Sequence, residues 1–315
     1  MKTMKTVKMM KRNFFFSAGV AMCTLLAASC SNDDDLPGGN DNDGRVALQV
    51  SSGIQTRAFD NLWEAGDQIG IFMLGSGQNT VADGYGNVPY LVASAGAGGK
   101  AFAPVSEVIY FPTDGSKRDF TAYYPYSADK VTEGVYSIDL TEQDPQKDID
   151  FMLAGKVTDK SRTDANVSFQ FAHKLVKIVM DIKPGDGVTA DDLKNVAVSL
   201  TGQPTAGTFD VLNGQNVTAT STDKKAISLL ADADGTRAEG IVFPSADYSG
   251  MNFVFTTPAI GNYEWALSQS AKADKFEAGK KYLYTITVNK TGINVTASIT
   301  DWLPGNGLGE SGDAE

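Results

Sequence analysis

Short apolar segments broken by glycine and proline run through most of the chain. Val46, Leu48 and Val50 are each followed by a smaller or more polar residue, an alternation typical of a half-buried strand. Similar strand-like segments are 68–74, 107–111, 119–124, 135–140, 149–154, 167–182, 196–200, 207–212, 225–230, 240–243, 252–256, 263–267, 281–289 and 293–302. Only residues 189–194 could begin a helix, of one or two turns. Because long helical segments do not alternate with the strands, the sequence predicts an all-β fold.

The first residues have the pattern of a secretory signal. Five basic residues precede an apolar stretch over residues 14–28 that is too short to span a bilayer, and small residues lead into Cys30. A cysteine at this place is typical of a bacterial lipoprotein. We therefore predict a signal peptide over residues 1–29 and acylation of Cys30, the alternative being an ordinary signal in which Cys30 is incidental.

Residues 30–44 are rich in Asp, Asn and Gly and predict a flexible acidic tether. The acidic run 31–35 resembles the signal that exports some lipoproteins to the outer face of the outer membrane, although a solvated linker would look similar. Once the signal is removed and Cys30 is acylated, no cysteine is left for a disulfide. Loss of five basic residues changes the net charge from −11 to −16, which argues against nucleic-acid binding.

The most polar mid-chain stretch, residues 159–166, indicates a domain boundary. We predict an N-terminal domain over residues 45–160, beginning with the strand 45–53, and a C-terminal domain over residues 161–302. Residues 303–315 are acidic and rich in glycine, which predicts a flexible tail.

Residues suited to catalysis or metal binding are scarce. His173 is the only histidine and lies within an apolar strand, which favours structural packing. The acidic stretches 41–44 and 232–235 resemble the start of a calcium loop but lack its final carboxylate. We therefore expect no enzyme activity, no cofactor and no metal. Trp63, Trp265 and Trp302 could stack on sugars, which leaves a surface-exposed carbohydrate-binding lipoprotein as the alternative function.

Three parts of the sequence together form a specific pattern. TRAF at 56–59 and WEAGDQIGIF at 63–72 resemble the opening of the fimbrillin family, which builds type V pili. FQFAHKLVKI at 169–178 resembles its mid-chain strand, while EAGKKYLYTITV at 277–288 and ITDW at 299–302 resemble its C-terminal part. Their order and spacing cover nearly all of the chain after the predicted signal.

This resemblance implies two transthyretin-like β-sandwich domains in tandem, an outer-membrane lipid anchor before processing, and a place in a surface fimbria that serves adhesion. It also implies that an arginine-specific protease removes the first strand and that subunits then join other fimbrial subunits by donor-strand exchange. The family's cleavage position falls on Arg57, so that the mature chain begins at Ala58. Alternatively, Arg57 is an ordinary loop arginine. The adhesive ligand would lie on a host or bacterial surface.

The segment 293–302 is the candidate donor strand. One face carries Ile293, Val295, Ala297 and Ile299, the same kind of alternating apolar face that the first strand has. It could enter a neighbouring subunit by β-augmentation, or it could pair within its own domain. Stalk subunits of the family carry a further donor segment after this point, which the polar tail lacks. A stalk, tip or anchor role is therefore left open.

Overall fold

The structure, a computed structural model, describes residues 44–54, 63–95, 100–214, 218–219, 224–270 and 272–302. The first strands in chain order are β1 (Gln49–Ile54), β2 (Gln68–Gly75), β3 (Val88–Val92), β4 (Lys100–Pro104), β5 (Arg118–Tyr124), β6 (Val131–Thr132), β7 (Val135–Asp139), β8 (Met152–Ala154), β9 (Val157–Lys160), β10 (Asn166–His173) and β11 (Val176–Pro184). They are followed by β12 (Ala197–Thr201), β13 (Ala206–Asp210), β14 (Thr218–Ala219), β15 (Ile227–Ser228), β16 (Leu230–Ala231), β17 (Arg237–Val242), β18 (Asn252–Thr257), β19 (Gly261–Ala266), β20 (Lys280–Asn289) and β21 (Gly292–Asp301). The helices of the described residues are short 3-10 turns at Gln146–Asp148, Ala190–Leu193 and Leu267–Gln269. The all-β prediction is confirmed.

The N-terminal strands form a sheet that closes on itself. Its order is β2-β3-β4-β1-β10-β8-β5-β9, and β5 also pairs with β2. The strands enclose an apolar cluster that includes Val50, Trp63, Phe102, Phe169 and Phe171. Closure of the sheet leaves β1 paired with a strand on each side, β4 and β10.

The remaining strands form three further sheets around a second apolar cluster. Their orders are β16-β17-β11-β20-β21, β15-β12-β18-β19 and β14-β13-β7-β6. The cluster gathers buried side chains from all three, among them Ile178 of β11, Val198 of β12 and Phe209 of β13. Val176 to Met180 are buried without interruption, because β11 lies between β17 and β20 and is covered on both faces.

The sheets do not divide at residue 160. β10, assigned from sequence to the C-terminal domain, pairs with β1 and β8 of the first sheet. In the other direction, β7 pairs with β13. Sheet membership of the longer strands changes between His173 and Val176, where β10 ends and β11 begins. The tandem arrangement of two sandwich domains stays a prediction.

Three strand assignments made from sequence are wrong in detail. The segment 225–230 contains β15 and the start of β16, which belong to different sheets. The segment 107–111 contributes only an isolated bridge between Tyr110 and Ala47. The segment 167–182 is two strands in two sheets, because the chain leaves the first sheet at Lys174. The change from alternating burial in β10 to continuous burial in β11 marks this transition.

The helix start predicted at 189–194 is confirmed as the 3-10 turn Ala190–Leu193, with Thr189 and Asp192 forming a capping box. His173 has the structural role predicted for it. It is buried, with Nδ1 at 2.7 Å from Oδ1 of Asp150. Within the described residues, no helix is long and apolar enough to cross a membrane.

Candidate assembly site

The position of the first strand in the closed sheet is the candidate functional site. β1 runs parallel to β10, with Gln49 opposite Asn166 and Gly53 opposite Gln170, and antiparallel to β4. Backbone hydrogen bonds extend this pairing towards the N-terminus, where the Leu48 amide donates to Ile109 at 2.8 Å. β1 therefore fills a gap between two strands that both come later in the chain. We call this gap the β1 slot.

One face of the first strand is inserted into the N-terminal core. Leu48 and Val50 are each only 5% exposed and Ser52 is fully buried, whereas Gln49 on the opposite face is exposed. Burial of each aliphatic side chain stabilises the fold by about 1.5–3 kcal/mol. The first strand therefore contributes side chains to the N-terminal core in the uncut chain.

Trp63 contributes to the floor of the β1 slot. Its indole makes edge contacts with Phe102 of β4 at 5.0 Å and with Phe171 of β10 at 5.5 Å, measured between ring centroids. A third edge contact, at 5.4 Å, is to Tyr124. Trp63 thus touches an aromatic ring on each strand that flanks β1, and it lies after Arg57 in the chain.

A hydrogen bond between Tyr124 and Asp67 lies at the edge of this aromatic group. The Tyr124 hydroxyl donates to Oδ1 of Asp67 at 3.3 Å. Burial raises the pKa of the Tyr124 phenol, and the nearby Asp67 carboxylate raises it further. Burial also raises the pKa of Asp67. Tyr124 is therefore neutral and serves as a hydrogen-bond donor at physiological pH.

Ser52 fits the slot imperfectly. Its side chain is 0% exposed, and its Oγ has no hydrogen-bond partner among the described residues. A buried hydroxyl left unpaired costs about 1–3 kcal/mol. The neighbouring Gly53 lies close to a flexible side chain, since a Cβ there would be 3.1 Å from the amide of Gln170. A strand that occupies the slot is therefore expected to carry small residues at the positions of Ser52 and Gly53.

The candidate donor strand lies in its own sheet, the alternative that the sequence left open. β21 pairs with β20 in an antiparallel register from Lys280–Asp301 to Asn289–Gly292 and forms the edge of its sheet. Ile293, Val295 and Ala297 are half-buried against the C-terminal core, and Ile299 is 37% exposed. The strand ends at Asp301, and the amide of the next residue, Trp302, donates to the Gly279 carbonyl at 2.8 Å.

The other predicted site residues are Cys30, Arg57 and Ala58, and all three lie outside the described residues. The structure does not bring the donor face of β21 into the β1 slot of the same chain. All three tryptophans are buried, at 2%, 7% and 1% exposure for Trp63, Trp265 and Trp302. The exposed tryptophans expected for the carbohydrate-binding alternative are therefore absent.

Sequence reasoning missed β4, which forms one wall of the slot. Its sequence KAFAP follows a glycine-rich stretch, a composition that favours a loop over a strand. Lys100 is in fact the first residue of β4 and lies opposite Ser52. The only signal in this segment is Phe102 between two alanines, which is too short for a periodicity argument.

A family model agrees with this architecture. The model described as fimbrillin-like matches residues 56–302. The chain belongs to the fimbrillin-like family. The match begins just before Arg57 and ends at Trp302, so that it leaves out β1.

This fimbrillin-like protein has close relatives in Bacteroides. A Bacteroides uniformis protein named as a candidate fimbrium subunit, Fim1C, is 46% identical over 300 residues, covering 93% of this chain and 97% of that protein. A solved B. uniformis structure, described as a candidate cell adhesion protein, is 44% identical with a TM-score of 0.74 and covers 83% of this chain and 99% of that one. A B. ovatus structure with a similar description shares the fold at 23% identity, with a TM-score of 0.64 and coverage of 83% and 99%. The family is one of fimbrial subunits and cell adhesion proteins, which indicates a surface fimbria and assembly with other subunits.

Proposed function

We propose that this fimbrillin-like protein is a fimbrial subunit that joins its neighbours when the first strand is replaced by a strand from another subunit. In this proposal Cys30 anchors the precursor to the outer membrane through its acyl chains. An arginine-specific protease then cuts after Arg57 and Ala58 becomes the new N-terminus. The finished fimbria serves adhesion.

The observation that carries this proposal is the place of β1 between β4 and β10. Every other described strand follows Arg57, so a cut there releases β1 without interrupting the rest of the chain. Its loss would open two strand edges and remove Leu48 and Val50 from the core. An open edge of this kind pairs readily with an added strand, which would restore both ladders and the apolar contacts.

β21 matches the first strand position by position. Residues 48–54 read LQVSSGI and residues 293–299 read INVTASI. Five of the seven pairs are identical or similar in size and polarity, the exceptions being Ser52 with Ala297 and Gly53 with Ser298, and the apolar residues keep the same alternation. A β21 strand laid into the slot in the direction of β1 would therefore place Ile293 and Val295 where Leu48 and Val50 lie.

The two surroundings differ in a way that favours exchange. In its own sheet β21 is an edge strand, with half-buried apolar side chains and, among the described residues, one neighbouring strand. In the slot it would pair with strands on both sides at positions where Leu48 and Val50 are 5% exposed. Ala297 would take the place of Ser52, which removes the unpaired buried hydroxyl. Ser298 in place of Gly53 would require a small shift of the Gln170 side-chain end.

The first experiment tests whether the leading strand is dispensable. The precursor without its signal is treated with an arginine-specific protease, and its N-terminus and size are followed by mass spectrometry and gel filtration. We expect a new start at Ala58 and oligomers that resist mild detergent, and we expect Arg57→Gln to stay uncut at this position and monomeric. A cut protein that unfolds and never associates would disprove the proposal.

A second experiment tests β21 as the donor. Ala297→Leu should be tolerated on the edge of the home sheet but should overfill the Ser52 position, where extra methylenes cost about 1–3 kcal/mol or more. Asn294→Leu is the matched control, because Asn294 is exposed at home and corresponds to the exposed Gln49. We expect slower oligomer formation only for Ala297→Leu. Equal rates for both variants would show that another strand is the donor, in which case β21 stays in its own sheet.

A further inference from the structure

A cavity of about 340 Å³ opens beside β8 and β10. It adjoins the β1 slot at Gln170, which lies opposite Gly53. Its polar lining residues come from four parts of the chain and are Thr121, Lys156, Gln170, Lys174 and Asn213. Leu153, Ala154 and Ala172 add apolar surface. Small-molecule sites usually combine such an apolar wall with a few polar groups, at volumes from about 300 Å³ upward.

Positive charge dominates this cavity. Among its described lining residues two are lysines and none is Asp or Glu, although the chain as a whole carries a net charge of −11. The Asp210 carboxylate does not line the cavity, but it accepts the backbone amides of Leu212 and Asn213 at 3.1 and 3.0 Å and also the side-chain amide of Asn213. The charged side chains that line the cavity among the described residues are therefore both positive, with one carboxylate bonded to its wall.

Lys174 is the central charged group. It is half-buried, and within the described part of the chain its ammonium has no hydrogen-bond or ion-pair partner. Its backbone is fixed, because its amide donates to the Phe151 carbonyl at 3.0 Å. Burial lowers the pKa of the Lys174 ammonium. An ammonium held at this position without a counter-charge is well suited to bind an anion.

The second lysine is positioned by neutral partners. The Lys156 ammonium donates to the Gln78 carbonyl at 3.2 Å and to the Asn79 side-chain oxygen. Asn79 in turn donates to Asn213 on the cavity wall. The two acceptors of the Lys156 ammonium are uncharged, and the network holds Lys156 and Asn213 on one side of the cavity.

We propose that this cavity binds a small organic anion, a carboxylate that also carries hydroxyl groups. The ammonium groups of Lys174 and Lys156 would bind the carboxylate. The side-chain amide of Gln170 would bind a hydroxyl, and the apolar wall would cover the carbon skeleton. A bare inorganic anion would leave most of the volume unfilled. Because Gln170 borders both the cavity and the β1 slot, binding is tested on the uncut monomer, in which β1 is in place.

The experiment titrates the uncut protein with D-glucuronate, D-glucose and inorganic phosphate, using isothermal calorimetry and amide NMR shifts of Gly155 and Gly214. We expect glucuronate to bind more tightly than phosphate, and glucose not to bind. Lys174→Gln should weaken glucuronate binding about tenfold, as expected for the loss of a charge-assisted hydrogen bond. Lys156→Gln should weaken it as well. Lys194→Gln, the same charge change at an exposed ion pair with Asp191, is the control and should leave binding unchanged.

Three outcomes would overturn the proposal. One is the absence of glucuronate binding to a folded wild-type protein. Another is equal binding of glucuronate and phosphate, which would indicate general attraction of anions. The third is unchanged binding in both Lys174→Gln and Lys156→Gln. Oligomer formation is not measured in this experiment, so failure here leaves the assembly proposal intact.

Discussion

The indole of Trp302 lies flat against the imidazole of His173, with ring centroids 4.0 Å apart and planes 8° from parallel. His173 is the last residue of β10, the strand that flanks the β1 slot, and Trp302 directly follows β21. Both rings are buried, and Asp150 holds the imidazole from another side. The contact therefore connects the acceptor strand of the N-terminal sheet to the end of the candidate donor strand.

Replacing Trp302 with Ala should loosen β21. We expect a loss of about 3–5 kcal/mol in the free energy of unfolding, as is typical when a large buried aromatic ring is truncated. Hydrogen exchange at the β21 amides should accelerate more than exchange in β11. In the cut protein, oligomers should form faster, because Trp302 has to leave His173 before β21 can be donated. Trp302→Phe, which keeps an aromatic ring, is the control, and unchanged β21 exchange in Trp302→Ala would contradict this role.

Ser52→Ala should stabilise the uncut protein. The substitution removes a buried hydroxyl that lacks a partner, worth about 1 kcal/mol or more and about 2–4 °C in the melting temperature. It should also slow strand exchange. With Ala at position 52, β1 no longer buries an unpaired hydroxyl, so β21 with Ala297 would no longer fit the slot better at this position. Ser51→Ala, on the opposite face, is the matched control. A drop in melting temperature for Ser52→Ala would mean that the hydroxyl is satisfied after all.

Glu239 should contribute to stability in a pH-dependent way. Burial alone would raise the pKa of this carboxyl, but Lys177 at 2.9 Å and Arg237 at 2.6 Å outweigh it and the pKa is lowered. A lowered pKa in the folded state means that the contribution is fully present above the ordinary carboxyl pKa. It is lost as the pH falls through the lowered value.

Glu239→Gln should therefore destabilise the protein by about 1–2 kcal/mol at pH 7 and progressively less in acid. Urea unfolding measured between neutral and acidic pH checks this expectation. The exposed Glu264 provides the comparison, because Glu264→Gln should leave the curve close to wild type. A constant difference between Glu239→Gln and wild type across the whole range would exclude the ion pairs as its cause.

Cys30→Ala should abolish membrane attachment of the precursor. Stable anchoring needs more than one acyl chain, and in the predicted lipoprotein all of them are carried by Cys30. Cell fractionation should move the protein from the membrane to the soluble fraction, and mass spectrometry should show no acylated N-terminus. Cys23→Ala, within the predicted signal, should behave as wild type. Continued membrane retention of unacylated Cys30→Ala protein would indicate another means of attachment.

The sequence alone determined the fold class and the chemical character of the first strand and of β21. Alternation in residues 46–51 and 293–302 is a local property, because side chains of a strand point to opposite faces in turn. The structural role expected for His173 also followed from its apolar surroundings. These features depend on near neighbours in the chain, so no tertiary structure was needed to predict them.

Only the tertiary structure decided which strands flank the first one. β4 has almost no periodic signal and β10 lies more than a hundred residues away, yet together they form the β1 slot. The same holds for the cavity that Lys156 and Lys174 share with Asn213, and for the stacking of Trp302 on His173. Strand partners and cavity walls are selected by long-range packing, in which many short alternating segments are equivalent until the closed sheet fixes their neighbours.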